Sequence, residues 1–265
     1  MTGILNIQFK PTLDKKEINL KKVEYYIQKN SDKNLDLVVL PEFFSTGIST
    51  YAFENRPEDI NGGDTIKFIQ NLAKEYKTNI VAGTVIEKEN NKLYNTSFVI
   101  NRDGKVVDKY RKIHLFNYMG GMEGTRITSG DRFVTVDLDF GRVAIAICFD
   151  IRYPIQFKEL AKSGAELIVL PTAWIVSDDV YNDKTMLKEA QNVWIAMNRT
   201  RAFDNLVYMV SCNQCGNNCI GNSLIISPSA AILSNAKENQ GGFYADIDLS
   251  QVKMYKSVYP ISHID

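Results

Sequence analysis

The sequence predicts an α/β protein of two similar halves, with two sheets packed face to face and helices on the outside. Three observations carry this. Strand-length runs of apolar and β-branched residues, LDLVVL ending at Leu40, RVAIAI ending at Ile147 and ELIVL ending at Leu170, suit strands covered on both faces. Charged, helix-prone stretches separate them. The chain also echoes itself: LDLVVLPE near Leu35 resembles AELIVLPT near Ala165, and NTSFVINRDGKVV near Asn95 resembles GNSLIISPSAAIL near Gly221. Both echoes are offset by roughly 130 residues, far beyond a solenoid period. Either two α/β halves share one pattern, or buried apolar strands recur by chance; the first satisfies the rule that sheets hide between covering layers. With 265 residues, 45% of them apolar, and no Pro/Ser-rich linker, the whole chain, 1–265, is expected to form one domain.

The elements follow in order. ILNIQF reads as the first strand, and a charged stretch over residues 14–30 reads as a helix with Asp14 as its N-cap. LDLVVL is the next strand and stops at Pro41-Glu42. A helix over residues 64–76 precedes three strands, NIVAGTVIE, LYNTSFVI and KVVDKY, the last two joined by the turn Asn101-Arg102-Asp103-Gly104. RVAIAIC is a further buried strand, followed by a helix over residues 154–163 with Pro154 in its first turn. ELIVL ends at Pro171, a long helical region reaches about Phe203, and LVYMVSC, NSLIIS, AAIL and FYADID complete the strands.

Composition narrows the function. Thirty-one basic and 31 acidic residues balance, so no bulk field draws the chain to nucleic acid or an anionic membrane. The N-terminus lacks a signal-peptide pattern and no apolar run is long enough to span a bilayer, which predicts a cytoplasmic protein without membrane partners. The four cysteines do not resemble a secreted disulfide framework. Three of them form C-x-x-C-x-x-x-C at Cys212, Cys215 and Cys219, a spacing that invites a metal, but a fourth nearby ligand is missing and no metal or other cofactor is expected. The only histidines are His114 and His263, so hydrolytic chemistry here must lean on carboxylates, amines and thiols, or else on His114.

Cys148 ends a buried strand just before a turn into a helix, where backbone N–H groups can stabilise a thiolate and an oxyanion. The bland reading is a small buried packing residue. Glu42 ends another buried strand among apolar and aromatic neighbours, which raises a carboxyl pKa toward that of a useful base; it reads equally as a solvated loop residue. Lys112, just past KVVDKY, is either a cation for developing negative charge or a surface lysine.

Together, in this order and these contexts, the three residues resemble the Glu–Lys–Cys set of the nitrilase superfamily of carbon–nitrogen hydrolases. The resemblance runs through LPEFFSTG, KYRKIHLF, ICFDIRYP, LAKSGAELIVLPTAW and RAFDNLVYMVSCNQ, nearly the whole chain. It implies a four-layer αββα sandwich and a thiol amidohydrolase that passes through a cysteine thioester. In many amidase branches a second glutamate occupies the place of Glu123, which implies that Glu123 holds Lys112 and assists proton movement; a solvated loop glutamate is the competing reading. CFDIRYP resembles the ω-amidase and deaminated-glutathione amidase branches, whose substrates are terminal amides of small dicarboxylate-like molecules; N-carbamoyl compounds and aliphatic amides are the alternatives on the same site. The resemblance further implies an oxyanion contact from the N–H of Phe149, and substrate contacts from Arg152, Thr172 and Trp174. For Arg152 a structural ion pair, and for Thr172 and Trp174 a packing role, remain the competing readings. The family's habit of dimerising implies a homodimer or higher oligomer, through residues 154–163 and the helix ending near Phe203.

Two segments depart from the family pattern. Asp204 stands in RAFDN where the family usually has glutamate, and the stretch between Pro171 and Trp194 is longer than in compact amidases. YMGG before Glu123 and the loop after Trp174 are therefore the parts least transferable. Two rivals stand beside the amidase: a Cys–His hydrolase using His114, and a non-catalytic binding or scaffold member of the family.

Overall fold

The computed structural model describes residues 1–59, 63–117 and 123–259; YMGG and His263 lie outside them. The N-terminal half runs β1 (Thr2–Gln8), α1 (Lys16–Gln28), β2 (Leu37–Val39), α2 (Thr50–Asn55), β3 (Glu58–Asp59), α3 (Asp64–Glu75), β4 (Asn79–Val81), β5 (Val85–Glu89), β6 (Lys92–Ile100) and β7 (Val106–Arg111). The C-terminal half runs β8 (Val134–Leu138), β9 (Gly141–Ile145), α4 (Pro154–Lys162), β10 (Leu167–Thr172), α5 (Asp178–Asn182), α6 (Lys184–Asn205) and β11 (Tyr208–Asn213). It ends with the small hairpin β12 (Cys215–Gly216) and β13 (Cys219–Ile220), then β14 (Leu224–Ile226), β15 (Ile232–Asn235), β16 (Gly241–Ile247) and α7 (Ser250–Val258).

The echo in the sequence is an echo in topology. One sheet is ordered β16-β1-β2-β4-β6, with β7 and β5 both on β6; the other is ordered β8-β9-β10-β11-β14-β15. In each, a parallel trio (β1, β2, β4 or β9, β10, β11) is flanked by antiparallel neighbours. The hairpin β6–β7 answers the hairpin β14–β15. Parallel trios need helical crossovers, which α1 and α3 supply in one half and α4 and α6 in the other.

Three apolar clusters give the layers. Leu20, Val23 and Ile27 of α1 and Ile66, Ile69 and Leu72 of α3 pack on Leu5, Ile7, Val38 and Ile80 of the first sheet. Phe157 and Leu160 of α4 and Trp194 and Ala202 of α6 pack on Ala144, Ile168, Met209 and Leu224 of the second. Between the sheets lie Ile4, Leu37, Val39 and Val81 against Val143, Ile145, Val169 and Val210. The order helices–sheet–sheet–helices is the αββα sandwich, and each strand of the trios is apolar on both faces because each face meets a different layer. No helix among the described residues is long and apolar enough to cross a membrane.

Several local expectations need correction. Asp14 does not cap α1: Lys15 holds the N-cap position without a side-chain bond. The Asp14 carboxylate instead accepts from Ser49 Oγ at 2.9 Å, and Ser49 caps α2 through the Ala52 N–H, a long-range tie that local spacing cannot reveal. NIVAGTVIE is not one strand. It breaks at Gly83, whose φ is +45°, and a Cβ there would meet the Pro41 carbonyl oxygen at 2.1 Å. That close approach lets Thr84 Oγ1 accept the Phe43 N–H at 2.9 Å, so the break anchors the loop that carries Glu42. The strand ending in RVAIAIC stops at Ile145, and Cys148 opens a 3-10 turn spanning Cys148–Arg152. Strand β10 continues through Pro171 to Thr172. The expected long helical region is two helices, α5 and α6, separated at Asp183, whose carboxylate caps α6.

Candidate active site

The site forms where corresponding strands of the two halves run out. Pro41-Glu42 follows β2 as Pro171-Thr172 ends β10, and the Glu42 N–H donates to the Thr172 carbonyl at 3.3 Å. The Gln214 side chain, just past β11, donates to the Glu42 carbonyl at 2.7 Å. Cys212, at the end of β11, donates its thiol to the carbonyls of Ile7 and Val39 at 3.1 and 3.3 Å. The two halves are thus stitched together beside Glu42.

Glu42, Lys112 and Cys148 are all buried, and Glu123 nearly so. Lys112 follows β7 directly; its N–H donates to the Asn95 carbonyl and its carbonyl accepts from Gly130, both tying it to neighbouring backbone. Its Nζ donates to Glu42 Oε1 and to Glu123 Oε2, each at 2.9 Å. Asn95 Nδ2 bridges the same two carboxylates, 2.8 Å from Glu42 Oε1 and 2.8 Å from Glu123 Oε1. The Phe116 N–H adds a third donor to Glu123 at 2.8 Å. Glu42 Oε2 accepts from the Ala173 N–H at 2.9 Å.

Cys148 adopts a left-handed backbone, φ 45°, which a residue with a Cβ rarely takes up. Asp150 enforces it. Its carboxylate accepts from the Ile147 N–H at 2.8 Å, the Tyr110 hydroxyl at 2.7 Å and the His114 N–H at 3.1 Å. One buried carboxylate therefore clasps the cysteine turn to the segment carrying Lys112. His114 is spent in this clasp: its Nδ1 lies 2.8 Å from Asp150 Oδ1 and its ring stacks on Tyr153 at 3.5 Å.

Burial pushes the Cys148 thiol well above its ordinary pKa, with the Glu42 carboxylate adding to the rise, while the Lys112 ammonium and the Ala173 N–H pull the other way. Burial likewise raises Glu42 from the usual carboxylate range, against the opposing pull of Lys112 and Asn95. For Lys112, burial disfavours the charge, but the carboxylates of Glu123 and Glu42 outweigh it and hold the ammonium well above its ordinary pKa. Such a set offers a thiol beside a carboxylate acceptor, with a permanent cation alongside. No cluster of three or more metal-ligating side chains occurs among the described residues, and all four cysteines are free.

The remaining sequence candidates are scattered around this centre. Phe149 follows Cys148 in the 3-10 turn and meets Phe116 edge-on at 5.4 Å. Arg152 is exposed, its guanidinium 5.8 Å from the Phe149 ring, and among the described residues no ion pair reaches it. Thr172 is buried with its hydroxyl turned back to the Leu170 carbonyl at 3.1 Å. Trp174 is part-buried, its N–H held by Asn213 at 2.9 Å and its ring against Trp194. Asn95, Ala173, Asp150 and Gln214 escaped the sequence reading. Asn95 left one signal: it opens three consecutive polar residues, all fully buried, between Leu93-Tyr94 and Phe98-Val99-Ile100 of strand β6.

Comparison with known proteins bears on the family and the fold. The carbon-nitrogen hydrolase family profile matches residues 6–257. The chain is 29% identical to omega-amidase NIT3 of Saccharomyces cerevisiae, over 97% of this chain and 90% of that one. It is also 29% identical to the 2-oxoglutaramate amidase of Bacillus subtilis, over 96% of this chain and 94% of that one. The crystal structure of Saccharomyces cerevisiae Nit3, a branch 10 member of the nitrilase superfamily, superposes with a TM-score of 0.88 at 27% identity, covering 99% of this chain and 96% of that one. With the family profile spanning nearly its whole length and the αββα sandwich shared with a solved relative, this chain belongs to the carbon–nitrogen hydrolase family.

Proposed function

We propose that this chain is an ω-amidase, hydrolysing the terminal amide of a small dicarboxylate-like molecule to acid and ammonia at Cys148. The observation that carries the reading is the buried, mutually bonded set Glu42, Lys112 and Glu123 around the Cys148 turn. The ω-amide class is supported by the named activities of the yeast and Bacillus relatives.

Glu42 takes the thiol proton as the sulfur attacks the amide carbon. Lys112 and the Phe149 N–H, at the start of the 3-10 turn, stabilise the tetrahedral oxyanion; each such donor typically supplies about 3 kcal/mol. Glu42 returns the proton to the departing ammonia, leaving an acyl thioester on Cys148. Water, deprotonated by Glu42, then releases the carboxylic acid and regenerates the thiol. Because the thiol pKa is raised, the thiolate arises by this transfer and not by free ionisation at neutral pH. Glu123 holds Lys112 in place from the far side.

On this reading the chain acts as one unit in the cytoplasm, without a cofactor, as a homodimer or higher oligomer. Ile155 of α4 and Val193 and Phe203 of α6, all exposed apolar side chains, support an interface on that face. Arg152, Thr172 and Trp174 border the acyl group. An ammonia-release screen over ω-amides, aliphatic amides, N-carbamoyl compounds and nitriles tests the substrate class. Fastest release from ω-amides is expected; preference for N-carbamoyl compounds, or no release from any, contradicts it.

A further inference from the structure

We propose that Asn95 is a positioning residue for the general base: its side-chain amide, bonded to both Glu42 and Glu123, aims one chosen oxygen of Glu42 at the thiol. This rests on the amidase reading above and adds a role for a residue outside the Glu–Lys–Cys set.

The argument starts from donor capacity. An asparagine amide nitrogen has two N–H groups, and both are committed here, one to each glutamate at 2.8 Å. The opposite amide orientation would set a carbonyl oxygen against two carboxylate oxygens, so the nitrogen faces the carboxylates. Glu42 Oε1 then receives Lys112 Nζ and Asn95 Nδ2 together and is saturated. Oε2 has the Ala173 N–H as its one donor among the described residues. With two donors on Oε1 and one on Oε2, Oε2 is the oxygen that keeps a lone pair for the thiol proton.

Two further facts set Asn95 apart from ordinary strand packing. It is fully buried, and among the described residues its Oδ1 accepts no hydrogen bond. A buried acceptor left unpaired is a cost to stability, so the position is kept for its donors. Its backbone carbonyl also accepts the Lys112 N–H at 2.9 Å. One residue therefore fixes the Lys112 backbone through its main chain and both carboxylates through its side chain.

The pH dependence has a definite sign. The charged or titratable groups facing Glu42 are Lys112, after β7, Glu123, in the turn beyond it, Cys148, after β9, and Cys219, in β13. The Asn95 donor favours ionised Glu42, so its removal raises the Glu42 pKa further. Glu42 must be ionised to accept the proton, and the acid limb of kcat/KM moves to higher pH.

The test is Asn95→Leu, of similar shape without the donors, assayed with succinamate across pH beside wild type and Cys148→Ala. The expected result is a fall in kcat of about tenfold or more with KM within about twofold, and an acid limb displaced to higher pH. A folded Asn95→Leu with the wild-type limb, its activity reduced only in step with its folded fraction, overturns the proposal. If Asn95→Leu does not fold, Asn95→Asp takes its place, with a larger displacement in the same direction expected and an unmoved limb again fatal. Wild-type turnover by Cys148→Ala would sink the amidase reading itself, whatever Asn95 does.

Discussion

Glu42 Oε1 and Lys112 Nζ form an ion pair at 2.9 Å in which each side chain is only 2% exposed. Removing two charges from water is costly, and a pair so buried contributes little net stability by itself. Its consequence lies in what happens when one partner goes. In Lys112→Ala, two carboxylates remain buried without their cation, and a loss of about 3–5 kcal/mol is expected, read as a lower urea midpoint, together with loss of turnover. Unchanged stability would contradict the burial described for this centre.

Glu42→Gln preserves the shape and most hydrogen bonds of the site while removing the proton acceptor. Turnover is expected to fall by about 100- to 10,000-fold with an unchanged circular dichroism spectrum. In the wild type, burial holds the Glu42 pKa above the usual carboxylate range, so activity should fall on acidification at a pH higher than an exposed glutamate would dictate. A pH–rate profile flat through and above the ordinary carboxylate range would contradict that assignment.

His114→Ala separates the two thiol chemistries. The His114 ring is engaged with Asp150 and stacked on Tyr153, so its loss loosens the cysteine turn without removing a base. The expected change in kcat is within about tenfold. A collapse as deep as that of Glu42→Gln would point to a Cys–His mechanism instead.

Away from the site, Glu87 is an electrostatic anchor of the first sheet. Its fully buried carboxylate pairs with Lys109 at 2.8 Å and with Arg111, and accepts from Thr96 Oγ1 at 2.6 Å. Burial pushes its pKa up, but the bonds from Arg111, Lys109 and Thr96 outweigh this and hold it below the usual value. A depressed folded pKa contributes stability above the unfolded pKa that is lost as pH falls through the folded one. Glu87→Gln should therefore cost about 2–3 kcal/mol at neutral pH, discounted because Lys109 and Arg111 are part-exposed, with the difference from wild type shrinking on acidification. Denaturant melts at neutral and acidic pH check this; a difference that grows toward acid would contradict it.

Much of this architecture is legible in the sequence because it is written in local composition. The unalternating runs of β2, β9 and β10 announce strands with two covered faces, and the LPE and LPT echo marks the two strand ends that meet at Glu42 and Thr172. What escapes is whatever depends on partners distant in sequence. Asp14 has the residue type of an N-cap but spends its carboxylate on Ser49. Strand β8 alternates buried and exposed positions in VTVDL and was hidden beside stronger apolar runs. Asn95 and Ala173 reach Glu42 only once β6 has joined the sheet of β2 and the sheet of β10 has packed against it, and no spacing in the chain encodes that meeting.

The central claim is that Cys148 carries the acyl group. Incubating the enzyme with succinamate, quenching in acid and mapping the peptides by mass spectrometry tests it directly. The account predicts an acyl adduct on the peptide containing Cys148, absent in Cys148→Ala, which should release no ammonia above background. An adduct on Cys212, Cys215 or Cys219, or ammonia release by Cys148→Ala at the wild-type rate, would contradict it.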